Sequence, residues 1–166
     1  MAPPGLFSIG YGNRPVAEFL ALLEDHRIDV LVDVRSVPFS RFHPEYAREA
    51  LKANVEGQGL VYAWMGDTLG GKCGGAAPSN VAFRSALRRL ALMGTDRRVA
   101  FLCAELRPEA CHRVRIVGAA FADNGIAVAH IDEHGGLVQH ADLVRRLTHG
   151  QLTLDALAPL TAGAAA

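Results

Sequence analysis

The sequence predicts a single three-layer α/β domain, with a mostly parallel sheet of about five strands and helices on both faces. Short, nearly continuous apolar runs such as Val30-Leu31-Val32-Asp33-Val34 suit parallel strands covered on both sides. Between such runs lie longer stretches with apolar residues at three-four spacing, as at Val16, Phe19, Leu20 and Leu23, the stripe of an amphipathic helix. The length of 166 residues suffices for one domain with its own core and no disulfide. That domain is expected over 1–150. The extension 151–166 ends in Ala-Gly-Ala-Ala-Ala and is expected to fray.

In chain order, Leu6 to Ile9 is the first strand, and Gly10-Tyr11-Gly12-Asn13 is a turn of residues that tolerate positive φ. Pro15 suits a helix start. The second strand spans Asp29 to Val34, and a polar, proline-broken loop follows from Arg35 to Pro44. A helix with Ala47, Ala50 and Leu51 inward ends at Gly57 and Gly59, and Leu60 to Trp64 is the third strand. Gly66 to Asn80 reads as a long glycine-rich loop. Ser79 is the expected N-cap of a helix with Phe83, Ala86, Leu87 and Leu90 on one face. Val99 to Cys103 is the fourth strand. One continuous helix is then expected from about Pro108 to Asn124, with Asn124-Gly125 as its stop. Ile126 to Ile131 is the fifth strand, and a last amphipathic helix covers Ala141 to Leu147.

Seventeen basic and seventeen acidic residues give a formal net charge of zero, which argues against wholesale binding to nucleic acid or an anionic membrane. No apolar run is long enough to span a bilayer. Met1 to Gly5 lacks the charged start and apolar stretch of a secretory signal. With three cysteines, this predicts a cytoplasmic protein with reduced thiols.

Ligands of open parallel sheets bind beyond the carboxyl ends of the strands, and unusual residues collect there. They are Tyr11 and Asn13 after strand one, Arg35 and Arg41 after strand two, Gly70-Gly71 after strand three, and Cys103-Ala104-Glu105 after strand four. Cys103 ends a buried strand ahead of a helix, where a helix N-terminus or arginine lowers a thiol pKa and yields a nucleophile. A small apolar side chain in a well-packed core is the competing reading. Cys111 is placed to resolve a sulfenic acid or disulfide at Cys103, and His112 is a candidate base or ligand. Arg35 and Arg41 are phosphate or carboxylate forks, equally suited to ion pairs with Asp33 or Glu45. Gly70-Gly71 and Gly74-Gly75 could cradle an anion, though no phosphate-binding fingerprint surrounds them. Cys103, Cys111 and His112, with Cys73 or His43, are metal-ligand types, but their spacing matches no standard zinc pattern.

Five segments occur in order: Ser8-Ile9-Gly10-Tyr11-Gly12-Asn13, Leu31-Val32-Asp33-Val34-Arg35-Ser36, Leu69-Gly70-Gly71, Cys103-Ala104-Glu105 and Cys111-His112-Arg113. Together they resemble the bacterial family known as domain of unknown function 488, over about Leu6 to Ile131. The resemblance implies a compact cytosolic α/β protein and supplies no activity. It singles out Arg35, Cys103, Glu105, Cys111, His112 and Arg113 as signature positions. A fainter similarity to rhodaneses rests on Val-Asp-Val-Arg and on a strand ending in cysteine. The rhodanese loop glycine and arginine are here Leu106 and Pro108, so sulfur transfer is an analogy of fold alone.

The leading expectation is a thiol-dependent enzyme of sulfur-transfer or thiol-redox type, acting on a small anionic substrate without a cofactor. Cys103 is its nucleophile, and Glu105 or His112 handles protons. Cys111 resolves, and Tyr11, Asn13, Arg35, Arg41, Gly70, Gly71 and Arg113 bind substrate. A second reading is a nucleotide or nucleic-acid module in which Arg35, Arg41, Tyr62 and Trp64 supply forks and stacking faces. A third is a metal-binding protein using Cys and His, and a fourth is a scaffold that binds another protein through this edge.

Overall fold

A computed structural model describes residues 3, 5–71 and 80–148. Six strands form one sheet in the order β3-β2-β4-β1-β5-β6. They are β1 (Gly5–Gly10), β2 (Val30–Asp33), β3 (Val61–Trp64), β4 (Arg98–Cys103), β5 (Val128–Ile131) and β6 (Leu137–Gln139). The first five are mutually parallel, and β6 runs antiparallel to β5. Expectation and structure differ by β6, a three-residue edge strand with a single buried residue, too short to carry a period of its own.

Alternation along each strand divides the core between the two faces. Phe7 and Ile9, Leu31, and Ala100 and Leu102 pack with Phe19 and Leu23 of α1 (Val16–Asp25) and with Leu51 and Val55 of α2 (Arg48–Gly57). Leu6, Val30, Val32, Val99 and Phe101 pack on the other face. There they meet Phe83, Leu87 and Leu90 of α4 (Val81–Met93) and Phe121 of α5 (Ala119–Asp123). This is the three-layer architecture that the apolar runs and stripes imply.

Three local expectations are corrected, and the expected last helix is present. The stretch taken as loop from Gly66 contains one helical turn, α3 (Gly66–Leu69). The cap of α4 is Asn80, whose side chain accepts from Ala82 N and Phe83 N at 2.8 and 3.2 Å; Ser79 lies outside the described residues, as do Cys73, Gly74-Gly75 and 151–166. The helix expected from Pro108 is interrupted. A 3₁₀ turn covers Pro108–Ala110, Cys111 is extended (φ −110°, ψ 145°), and a π-wound segment, Arg113–Gly118, leads into α5. The last helix, α6, starts at the end of β6 and is described over 140–148.

Connections from β1 and β4 leave in opposite directions. From β1 the chain goes by α1 towards β2, and from β4 it goes by α5, on the other face, towards β5. Neighbouring strands whose connections diverge open a crevice at their carboxyl ends. Here Gly10 of β1 pairs with Cys103 of β4 at that end.

Candidate active site

The loop after β4 folds back over the end of β1. Tyr11 N donates to the Cys103 carbonyl at 3.3 Å and Gly12 N to that of Ala104 at 2.9 Å. Gly10 is required for this approach, because a Cβ there would lie 1.8 Å from the Glu105 carbonyl oxygen. The extended Cys111 then returns the chain to Cys103. His112 Nδ1 lies 3.5 Å from Cys103 Sγ and 3.7 Å from Cys111 Sγ, and these three atoms all lie within 4.8 Å of one another.

Two polar groups crowd one sulfur. The hydrogen bond from the Cys111 thiol, followed by that from His112, holds the Cys103 thiol far below its ordinary range despite burial. Cys111 is pushed the other way, by its hydrogen bond to Cys103, by burial and by the Cys103 charge. Cys103 is therefore the more acidic thiol of the pair and Cys111 the less acidic.

Arg113 supplies the positive surroundings. It is fully buried, and no carboxylate ion-pairs with it among the described residues. Its Nε donates to Ser8 Oγ at 3.2 Å, its Nη2 to the Leu106 carbonyl at 3.1 Å, and its Nη1 to the Glu105 carbonyl. Burial lowers its pKa, and the negative charge carried by the cysteine pair opposes that shift. A buried guanidinium needs a counter-charge, and the Cys103 thiolate is the anion the site offers.

On the facing wall, Arg35 grips the buried Asp33 in a fork, Nε to Oδ1 at 2.9 Å and Nη2 to Oδ2 at 2.6 Å. Tyr62 donates to the same carboxylate at 2.7 Å. Trp64 Nε1 donates to the Arg35 carbonyl at 2.9 Å, and Gly66 admits that carbonyl where any Cβ would collide with it. Arg35 Nη1 is buried and has no hydrogen-bond partner among the described residues. Its guanidinium carbon stands 5.3 Å from the centre of the Tyr11 ring, which in turn stacks on Tyr46 at 4.1 Å.

Between these walls is a cleft of about 360 Å³ lined by Tyr11, Arg35, Ser36, Val37, Phe39, Gly71, Cys103, Ala104 and His112. A larger hollow, about 590 Å³, lies against Ile126, His140 and Val144. Its wall carries no thiol, and its Arg145 is paired with Asp142.

Five of the expected site residues therefore meet at the cleft: Tyr11, Arg35, Gly71, Cys103 and His112. Cys111 stands behind them as a donor. The other expected positions lie elsewhere. Glu105 is exposed, with its carboxylate turned back on Arg107 N. Asn13 is exposed on the turn beyond Tyr11, and Arg41 lies over the exposed Phe42 at 5.9 Å; neither lines the cleft. Gly70 makes room for Ser36 and the Gly66 carbonyl, and Gly71 backs on the His112 ring. Arg113 forks loop carbonyls, not the cleft. Among the alternative ligands and stacking faces, His43 pairs with Glu45. Tyr62 is buried on Asp33, and Trp64 lies under Arg48 at 4.7 Å.

Sequence reading missed a polar chain behind the site. Ser8 and His130 are register neighbours on β1 and β5, and both are fully buried. Arginine only donates, so Ser8 turns its hydroxyl hydrogen to His130 Nδ1, 2.6 Å away. His130 then carries its proton on Nε2 and donates to His140 Nδ1 at 2.9 Å. Burial, then His140 and Arg113, brings His130 down to about 3. The signal was a serine and a histidine at core-facing positions of apolar strands.

The model of the family described as Domain of unknown function DUF488 matches residues 15–120. The chain belongs to the DUF488 family. The DUF488 match takes in Arg35, Cys103, Cys111, His112 and Arg113, and it begins after Tyr11 and Asn13. No curated protein and no solved structure matches the chain. Among the described residues of this DUF488 protein, no helix is long and apolar enough to cross a membrane.

Proposed function

We propose that this DUF488 protein is a cytoplasmic thiol-dependent enzyme that transfers a group from a small anionic substrate to Cys103. The observation that carries this reading is the gathering of Cys111 Sγ and His112 Nδ1 at Cys103 Sγ, beside a cleft whose other wall is the Arg35 side chain, with Nη1 buried and without a partner among the described residues. An unpaired buried guanidinium nitrogen is costly, and an anionic substrate group satisfies it. In the first step a Cys103 lone pair forms the bond to the electrophilic atom. The bond to the leaving group breaks with its electron pair, and His112 Nδ1–H supplies the proton. Cys111, within 4.8 Å, then attacks Cys103 Sγ. The transferred group departs with the bonding pair and the Cys111 proton, and a small-molecule thiol reduces the resulting disulfide.

The test is alkylation by iodoacetamide near neutral pH in reduced, metal-free protein carrying Cys73→Ser, so that two thiols remain. Cys103 is expected to label at least ~10-fold faster than the same thiol in unfolded protein, and Cys111 to lag behind it. Labelling of Cys111 first, or of Cys103 at the unfolded rate, overturns the reading.

A further inference from the structure

The geometry points to a second occupant of the same cluster: a thiophilic tetrahedral cation, Zn²⁺ in type, held by Cys103 Sγ, Cys111 Sγ and His112 Nδ1, with its fourth position open to the Arg35 cleft. This rests on the proposed reading only in taking Cys103 as a cleft-facing thiolate. Zinc holds thiolate sulfur at ~2.3 Å and imidazole nitrogen at ~2.0–2.1 Å, so the sulfur–nitrogen edge of a tetrahedral site is about 3.6 Å. The two such edges here are 3.5 and 3.7 Å, and the two sulfurs lie within 4.8 Å of each other. Two thiolates and one imidazole are a soft donor set that selects such an ion over magnesium or calcium.

Three protein ligands with an open fourth position are the pattern of a reactive site, not a closed structural one. Charge says what fills that position. Two thiolates balance the ion, and Asp33 balances Arg35, so among the described residues the buried Arg113 keeps only the charge of the exposed Glu105 carboxylate to oppose its own. An anionic fourth ligand suits that buried positive charge, and the Arg35 side chain lines the cleft beside the position. Entry of the ion requires Cys111 to release its proton to water and His112 to carry its ring proton on Nε2. Once bound, the ion takes one lone pair of the Cys103 sulfur and draws electron density from the rest, so it weakens the nucleophile. The cation acts as an off-switch on the nucleophile.

The experiment is a titration of the reduced, metal-free Cys73→Ser chain with Co²⁺, followed by Zn²⁺ and then a chelator. One equivalent of Co²⁺ is expected to give the intense visible bands of a tetrahedral site with thiolate charge transfer. One equivalent of Zn²⁺ is expected to erase them and slow Cys103 alkylation at least ~10-fold, with recovery on chelation. Cys111→Ser should weaken the charge-transfer band and abolish that protection. A pale octahedral Co²⁺ spectrum, or thiolate bands unchanged in Cys111→Ser, overturns the inference. Metal-free labelling separates the two claims, because fast labelling of Cys103 without cobalt bands leaves the thiol reading standing and removes the metal alone.

Discussion

Replacing Arg113 by methionine is expected to destabilise the fold by about 3–5 kcal/mol, the range for breaking a buried charged network from one side. The substitution keeps most of the aliphatic volume and removes every donor. Ser8 Oγ and the carbonyls of Glu105 and Leu106 then lose their partner at once, and water does not reach a side chain that is fully enclosed. Lysine is no substitute, since a single ammonium on a flexible stem cannot reproduce a fork aimed at three acceptors. Urea denaturation of both proteins at one pH measures the difference. A loss below ~1 kcal/mol, the value of one ordinary hydrogen bond, would mean that Arg113 is peripheral to the fold.

Acid should unfold the protein through His130. An unfolded histidine takes its proton near ~6.5, whereas in the fold His130 stays neutral down to about 3, held there by burial, His140 and Arg113. Between those values the unfolded state binds the extra proton. The contribution of His130 is therefore complete above the unfolded pKa and is lost progressively as pH falls. From pH 7.5 to pH 5 the loss is about 2 kcal/mol from this residue alone. His140, also lowered by burial, steepens the same limb. His130→Asn is expected to cost stability at pH 7.5 and to flatten the acid limb. Equal acid slopes in the two proteins would remove His130 from the account.

These two results concern residues whose roles were hidden to different degrees. The strands were legible because Val30 to Asp33 and Val99 to Leu102 are buried on both faces and carry continuous apolar text. Cys103 was legible as an address, since it closes such a run. The break at Cys111 was not. The apolar stripe Ala110, Val114, Val117 and Phe121 runs through it at helical spacing, and what interrupts it is tertiary: a 3₁₀ turn at Pro108 and the anchoring of Arg113 under the loop. That one extended residue brings Cys111 and His112 back to Cys103. Arg35 and Arg113 look alike as text, yet one lines the cleft with a nitrogen unpartnered among the described residues, while the other is held by Ser8 and two main-chain carbonyls. Only the folded loop distinguishes them. Ser8 and His130 broke the apolar pattern of their strands, and such a break in a buried strand requires a partner for each polar atom.

The central claim is that Cys103 attacks anions that Arg35 holds. It is tested most directly by the ratio of iodoacetate to iodoacetamide alkylation rates at Cys103, in metal-free protein and in an Arg35→Lys variant. Lysine keeps a cation for Asp33 but offers no second nitrogen to the cleft. The negatively charged reagent is expected to be favoured in the parent protein, relative to a free small-molecule thiol in the same buffer. In Arg35→Lys that preference should fall roughly tenfold, the equivalent of one charge-assisted hydrogen bond. An identical ratio in both proteins and in the free thiol would contradict the account.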